Sequence, residues 1–210
     1  LFVIFFLCTY CLLYSQEKPF ALSDKNGTAE TKALYQNLKT LSAKGYLFGH
    51  QDDLAYGVNW RYEKDRSDVK DVCGDYPGIY GWDLGGLERN NGEKNLDGVP
   101  FKNMRQYIKD AYKRGGVITI SWHFDNPSTG GNAWDTAHGT VASILPGGAS
   151  HELFKTWLDK AANFILSLKG ENKELIPVLF RPFHELTGTW FWWGANNCSA
   201  EQFKILWRFT

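Results

Sequence analysis

The sequence predicts an α/β fold built from parallel βα units. Short apolar runs that suit strands alternate with longer segments whose apolar residues recur at helical spacing. Polar residues follow the ends of these runs. In a (β/α)-barrel the carboxyl ends of parallel strands converge on one face, so residues far apart in the sequence meet there.

The predicted elements account for most of the chain from residue 28 onward. Helical segments are predicted at 28–43, 68–72, 104–111, 152–168 and 201–209. Strands are predicted at 47–49, 79–84, 117–122 and 178–180, and the last is expected to be buried on both faces, as in a parallel sheet. Gly45 and Gly74 end the first two helical segments, as glycine commonly does. The last strand ends before Pro182, because proline has no N–H for the ladder.

The stretch 177–193 carries the strongest functional signal. After the apolar run come His184 and Glu185, and then three tryptophans, Trp190, Trp192 and Trp193. A carboxyl group enclosed by indole rings loses hydration, which raises its pKa and suits a general acid. Aromatic rings also stack on the apolar faces of sugars. The pattern therefore predicts a glycosidase, and the alternative is an aromatic core beside a structural His-Glu pair.

Segment 181–194, RPFHELTGTWFWWG, closely resembles the acid/base motif of glycoside hydrolase family 26, whose known members are mostly β-1,4-mannanases. Three further blocks occur in the family's order: LFGHQDD at 47–53, SDVKDVCGDYPGIYGWDLGG at 67–86 and GGVITISWHFDNP at 115–127. The resemblance implies a (β/α)8 TIM-barrel glycosidase. Only about the first four βα units are visible, whereas such a barrel takes about 250 residues.

The resemblance also implies a retaining, endo-acting mannanase that needs no cofactor. Glu185 matches the acid/base, and the nucleophile is expected on a seventh strand that these residues do not contain, so we expect no turnover from them alone. The predicted substrate-binding residues are His123, His184, Trp190, His50, Asp83 and Trp134. Mixed-linkage β-glucan and β-1,3-xylan remain open as substrates. The other candidate nucleophiles are Asp83, Asp125 and Glu88.

Two rival functions use the same residues. His50, His123 and His184 follow three strands and, with a carboxylate, would form a hydrolytic zinc site. The second rival is a non-catalytic glycan-binding module whose tryptophans hold a sugar chain. The glycine-rich loop at 127–150, which carries Trp134, suits either a sugar subsite or an irregular segment.

Residues 1–15 are almost wholly apolar, which fits the core of a signal peptide better than a membrane span of about 20 residues. The first residue is Leu1, so the basic leading part is expected to precede it. The alternative is a buried helix. Residues 16–210 would then be the N-terminal part of an exported catalytic domain, whether secreted, periplasmic or at the cell surface.

Composition limits the partners. Basic and acidic residues both number 23, so the formal net charge is zero and no basic stripe indicates nucleic acid. Aromatic residues make up 16% of the chain, which suits a protein that handles a neutral polysaccharide. Cys73 and Cys198 are expected at opposite ends of the sheet, too far apart for a disulfide.

Overall fold

The computed structural model describes residue 22 and residues 24–210. The predicted signal segment, 1–15, lies outside the described residues. Within them, no helix is long and apolar enough to cross a bilayer.

Helices and strands alternate through the described chain. The helices are α1 (Ala29–Ser42), α2 (Asp68–Cys73), α3 (Phe101–Lys113), α4 (Thr140–Ile144), α5 (His151–Leu166) and α6 (Ala200–Phe209). The strands are β1 (Gly49–Gln51), β2 (Tyr56–Gly57), β3 (Trp60–Arg61), β4 (Ile79–Asp83), β5 (Val117–Ser121) and β6 (Val178–Arg181). Local signals place several ends: Ser199 and Gln202 form a capping box at α6, and Gly74 ends α2 in the left-handed conformation.

Four of the strands form one parallel sheet in the order β1-β4-β5-β6. The pairing is in step, since Asp83 lies opposite Ser121 and Ser121 lies opposite Arg181. The carboxyl ends of β4, β5 and β6 therefore stop at the same edge. This confirms the predicted parallel βα arrangement.

The two faces of the sheet have different environments because successive side chains point to opposite sides. Tyr80, Trp82, Ile118 and Ile120 are buried on one face. The other face carries Gln51, Thr119, Leu179 and Arg181, all at least partly exposed. The second face is thus the concave side on which a barrel interior would form.

Several predicted elements differ from the observed ones. The first strand is Gly49–Gln51 rather than 47–49, because Gly49 and not Leu47 pairs with Ile79. The predicted loop 127–150 contains α4. The hairpin of β2 and β3 had no counterpart in the prediction. β6 is not buried on both faces, because it is an edge strand and Leu179 is 38% exposed.

An aromatic cluster fixes the segments that follow β5 and β6. Phe124 is fully buried, and its ring lies 4.7 Å from that of Trp122 and 5.0 Å from those of Trp192 and Trp193, measured between centroids. One indole N–H group joins the two segments, since Trp192 donates to the carbonyl of Phe124. The indole N–H of Trp193 donates to the carbonyl of His184 within the segment after β6. The backbone around both strand exits is therefore part of the core.

A second cluster closes the exit of β1. Asp52 is fully buried and accepts a hydrogen bond from the hydroxyl of Tyr56 at 3.2 Å. Burial, and then the nearby carboxylate of Asp97, raise the pKa of Asp52 to about 7. The guanidinium of Arg61 donates to the carbonyl of Asp97 at 2.6 Å, which ties the β2–β3 hairpin to the loop after β4.

We expect Phe124→Ala to lower the free energy of unfolding of the full gene product by about 3–5 kcal/mol, because it leaves a cavity among well-packed rings. Urea unfolding measures this. Val72→Ala is the matched control, because Val72 is 89% exposed and its loss should change stability by less than about 0.5 kcal/mol. Equal losses of stability in the two variants would contradict this packing role of Phe124.

Asp52→Asn should change how stability depends on pH. The pKa of Asp52 is about 7 in the folded protein and 3.8 when unperturbed, so between these values the folded state binds more protons than the unfolded state. The free energy of unfolding of the wild type should therefore fall as pH rises through this window, by about 4 kcal/mol from this group.

Asn cannot ionise and tolerates the positive φ of 51° at this position. The stability of the variant relative to wild type should therefore increase between pH 4 and pH 8, as urea unfolding at both values would show. The exposed Asp71→Asn is the control. A stability difference between Asp52→Asn and wild type that does not vary with pH would refute this assignment.

Candidate active site

Three polar side chains meet where β4, β5 and β6 end. The Oδ2 atom of Asp83 lies 2.8 Å from Nδ1 of His123, and Nε2 of His123 lies 3.0 Å from Nε2 of His184. The residues are far apart in sequence and are brought together by the in-step parallel pairing. This hydrogen-bonded series is called the Asp83–His123–His184 chain below.

The carboxylate of Asp83 is the buried end of this chain. It is 2% exposed and accepts hydrogen bonds from the Ser121 hydroxyl at 2.6 Å and from the Gly85 and His123 backbone N–H groups at 2.7 and 3.1 Å. Burial alone would raise the pKa of Asp83, but the hydrogen bond from His123 and the other donors outweigh it and lower the pKa. Asp83 is therefore an anion.

His184 is the end of the chain nearest Glu185. Burial, and then the charge of His123, lower the pKa of the His184 imidazole. Its ring packs against Phe191, at 5.3 Å between centroids, and against Trp193, at 5.8 Å. Its Nδ1 atom is buried and has no hydrogen-bond partner among the described residues.

Glu185, the predicted acid/base, follows His184 directly and is exposed to solvent. Its Oε2 atom accepts a hydrogen bond from the indole N–H of Trp190 at 2.8 Å. The predicted enclosure by indole rings is wrong for Trp192 and Trp193, which are fully buried in the core. One indole contacts the carboxyl group, and the edge strand β6 leaves the rest open.

The backbone at this exit is in an uncommon conformation. Phe183 has a φ of 54° and Glu185 a φ of 55°, in the left-handed region that non-glycine residues rarely adopt. The Phe183 side chain is buried against Phe124 and Trp193, and the carbonyl of Glu185 accepts from the N–H of Gly188 at 2.8 Å. The packing of Phe183 and the hydrogen bonds of Glu185 to Gly188 and Trp190 thus hold this segment in a strained conformation, as is common at functional sites.

Two tryptophans offer ring surface beside these groups. Trp134, on the loop after β5, stacks on His123 at 5.3 Å with an interplanar angle of 12°. Trp134 is 50% exposed and Trp190 is 49% exposed. Both therefore have ring surface free for a flat apolar ligand, as the stacking argument requires.

Other candidates do not join this group. His50 is in register with the buried Tyr80, on the helix-covered face, and its Nδ1 lies 3.0 Å from Asp53. Both carboxylate oxygens of Asp125 pair with Arg89. The buried carboxylate of Glu88 accepts from the N–H groups of Gly86, Asp125 and Trp122.

The zinc alternative has no site in the part of the chain that the structure describes. No group of three His, Cys, Asp or Glu residues there could hold a metal ion. The Nε2 atoms of His123 and His184 face each other at hydrogen-bonding distance, and His50 lies on the other side of the sheet. Cys73 and Cys198 are both free thiols.

Sequence reasoning missed two contributors to the site. Phe191 packs its ring edge on His123 at 5.2 Å and on His184 at 5.3 Å, and so holds both imidazoles in place. In the sequence Phe191 lies between Trp190 and Trp192, and no pattern there marks it as part of the site. Asp97 lies close to Asp83 and His123. Burial is the main cause of the raised pKa of Asp97; the charge of Asp83 raises this pKa further, and the charge of His123 lowers it. Its loop position gives no periodic signal.

Comparison with known proteins was consistent in sequence and in structure. The profile of the family described as glycosyl hydrolase family 26 matches residues 23–210. A mannan endo-1,4-beta-mannosidase of Bifidobacterium adolescentis is 40% identical over 195 residues, which cover 90% of this chain and 19% of that protein. The chain thus spans a small part of that relative's length.

Solved structures agree with this match. A family 26 beta-mannanase from Bacteroides ovatus is 54% identical, with a TM-score of 0.84 over 87% of this chain and 53% of that structure. A modular endo-beta-1,4-mannanase from Cellulomonas fimi is 38% identical, with a TM-score of 0.79 over 89% and 42% of the two chains. These likenesses confirm the predicted barrel fold, of which about half is present. The chain belongs to glycosyl hydrolase family 26.

Proposed function

We propose that the full-length protein is an endo-acting β-1,4-mannanase that cleaves galactomannan or glucomannan with retention of configuration. The relatives named as mannan endo-1,4-beta-mannosidases support the substrate and the position of cleavage. The observation that carries the mechanism is the position of Glu185, which follows β6 beside the exposed ring of Trp190 and directly after His184.

Glu185 acts as general acid and then as general base. The indole N–H of Trp190 holds Oε2, so Oε1 is the oxygen left to carry the proton. In the first step Glu185 protonates the leaving glycosidic oxygen, and in the second it removes a proton from the attacking water. Bound glycan displaces the solvent around Glu185. It thereby desolvates the carboxyl group, which the described residues leave exposed.

A retaining mechanism also needs a nucleophile about 5 to 5.5 Å from the acid/base. Asp83 and Asp125 are unsuited to this role because their carboxylates are engaged by His123 and by Arg89. Glu88 is likewise held by three N–H donors. We therefore place the nucleophile in the part of the full-length protein that this chain does not cover, at the end of the expected seventh strand.

Export belongs to the same proposal. The apolar run 1–14 has the length of a signal-peptide core, and a polysaccharide substrate such as mannan is encountered outside the cytoplasm. Mixed-linkage β-glucan and β-1,3-xylan are the alternative substrates. A non-catalytic glycan-binding protein is the alternative function.

Glu185→Gln should lower kcat/KM of the full gene product on galactomannan by about 100-fold or more, because glutamine cannot transfer the proton. Reducing-sugar release from galactomannan, glucomannan, lichenan and xylan measures both the activity and the substrate. The matched control is Glu201→Gln, an exposed change on α6 that removes an ion pair with Lys204 and should leave activity within about twofold.

Each alternative has its own outcome in this assay. Residues 1–210 alone should release no sugar, since they lack the nucleophile. Turnover by this fragment would place a nucleophile among its own carboxylates. Full activity of Glu185→Gln would exclude the assigned role, and glycan binding without release by the wild type would favour the binding protein.

Trp190→Phe should retain the stacking surface but lose the hydrogen bond to Glu185. A hydrogen bond of this kind contributes about 1 kcal/mol, so we expect kcat/KM to fall roughly fivefold, mainly through kcat. Trp190→Ala should fall further and raise KM, because the ring surface is also lost. Equal kinetics of Trp190→Phe and wild type would show that the indole N–H has no role in catalysis.

A further inference from the structure

The loop after β5 is held together by one buried side-chain amide. Asn126 is fully buried, and each hydrogen-bonding position of its amide is occupied. Its Oδ1 atom accepts from the backbone N–H groups of Ser128 and Thr129 at 2.9 and 3.3 Å. Its Nδ2 atom donates to the carbonyl of Asp135 at 2.8 Å and to the hydroxyl of Thr140 at 3.0 Å. One amide thus joins the beginning of the loop to its end.

The partners also decide which way the amide faces. The backbone N–H groups of Ser128 and Thr129 can only donate, so the atom that faces them must be the oxygen. The carbonyl of Asp135 can only accept, so the atom that faces it must be the NH2 group. Aspartate lacks the donor and alanine lacks both groups. Neither residue could therefore make this set of bonds at position 126.

The backbone of Asn126 adds two more bonds within the same loop. Its N–H donates to the carbonyl of Gly131 at 2.7 Å, and its carbonyl accepts from the N–H of Gly130 at 2.8 Å. All of these partners belong to the described residues, so the arrangement is complete without the part of the full-length protein that this chain does not cover. Ordered loops of this length in a compact domain are usually functional.

The residues on both sides of Trp134 are anchored. The carbonyl of Ala133 accepts from the backbone N–H of Trp192 at 3.1 Å, which docks the loop on the segment after β6. The carbonyl of Asp135 is the acceptor for the Asn126 amide. The backbone of Trp134 is therefore fixed from two directions, and Asn126 supplies one of them.

The Trp134 ring is the part of this loop that reaches the site. It rests on His123 and on Phe191, with 5.3 Å between ring centroids in both cases, and half of its surface remains exposed. A side chain that is already held in one orientation loses little further freedom when a ligand stacks on it. Such a preformed surface binds a ligand more tightly than a mobile one.

We propose that Asn126 is a positioning residue, which holds the loop so that Trp134 is a preformed platform for a sugar ring. Asn126 is buried and does not touch the glycan. It acts through Trp134, so its loss should weaken substrate binding and leave the chemical step at Glu185 unchanged. The part of this inference that concerns the sugar rests on the proposed function. The role of Asn126 in holding the loop does not.

Hydrogen exchange of the full gene product, followed by mass spectrometry, tests the loop without a ligand. Asn126→Asp keeps the size of the side chain but turns an acceptor toward the carbonyl of Asp135. We expect the backbone amides of segment 126–140 to exchange about 10-fold faster in this variant. Asn132→Asp is the matched control, since it makes the same change on an exposed side chain whose oxygen still accepts from the N–H of Trp134. Its exchange should match that of the wild type.

Kinetics on galactomannan test whether Asn126 acts through Trp134. Asn126→Asp and Trp134→Ala should each raise KM about five- to tenfold and change kcat by less than about twofold. The double variant should be no worse than Trp134→Ala alone, because the position of the loop no longer matters once the ring is absent. A residue needed only for stability would give effects that add, or would lower kcat.

Thr140→Val is a milder variant, which removes one acceptor of the Asn126 amide and takes its place in both tests if Asn126→Asp does not fold. Additive effects in the kinetic cycle, or unchanged exchange in the folded variant, would overturn the proposal. If the wild type cuts no mannan, the mannan substrate fails, and the exchange comparison alone decides whether Asn126 holds the loop.

Discussion

The in-step parallel pairing of β4, β5 and β6 is the constraint on which the site depends. Asp83, Ser121 and Arg181 are register partners, so the three strands end together and their following residues emerge at one edge. A shift of one residue would turn Asp83 to the helix-covered face, since side chains alternate along a strand. The hydrogen bonds from Ser121 and His123 to Asp83 exist because of this register.

The aromatic core fixes the position of the backbone at that edge of the sheet. Phe124 follows His123 directly, and Phe183 precedes His184, so the packing of both phenylalanines on Trp193 fixes the backbone on which the two imidazoles are carried. Phe191 then covers both imidazole rings. The same tryptophan-rich segment therefore supplies two core residues and one exposed ring, and the site and the core are continuous.

The fold and the chemical residues were accessible from sequence because they depend on local patterns. Apolar runs and helix-ending glycines located most elements, and the 181–194 motif located Glu185 and His184. The geometry at β1 was not accessible: the apolar Leu47 and Phe48 resembled a strand, yet pairing begins at Gly49 because tertiary contacts with Ile79 decide it. The same shift puts His50 on the helix side of the sheet.

The sequence did not predict how deeply each tryptophan is buried. Adjacent tryptophans in a sequence do not share an environment, and here Trp192 and Trp193 enter the core while Trp190 stays half exposed. The expected desolvation of Glu185 therefore depends on bound glycan and on the uncovered side of β6. The Asp83–His123–His184 chain depends on contacts across 40 and 61 positions of sequence, which no spacing rule predicts.

The most direct measurement is a crystal structure of the full gene product, with Glu185→Gln, bound to a mannan oligosaccharide long enough to span the cleavage point. We expect the glycosidic oxygen to lie within hydrogen-bonding distance of the residue 185 side chain, with a sugar ring stacked on the exposed face of Trp190. A glycan bound away from the ends of β4, β5 and β6, or one whose linkage lies far from residue 185, would contradict it.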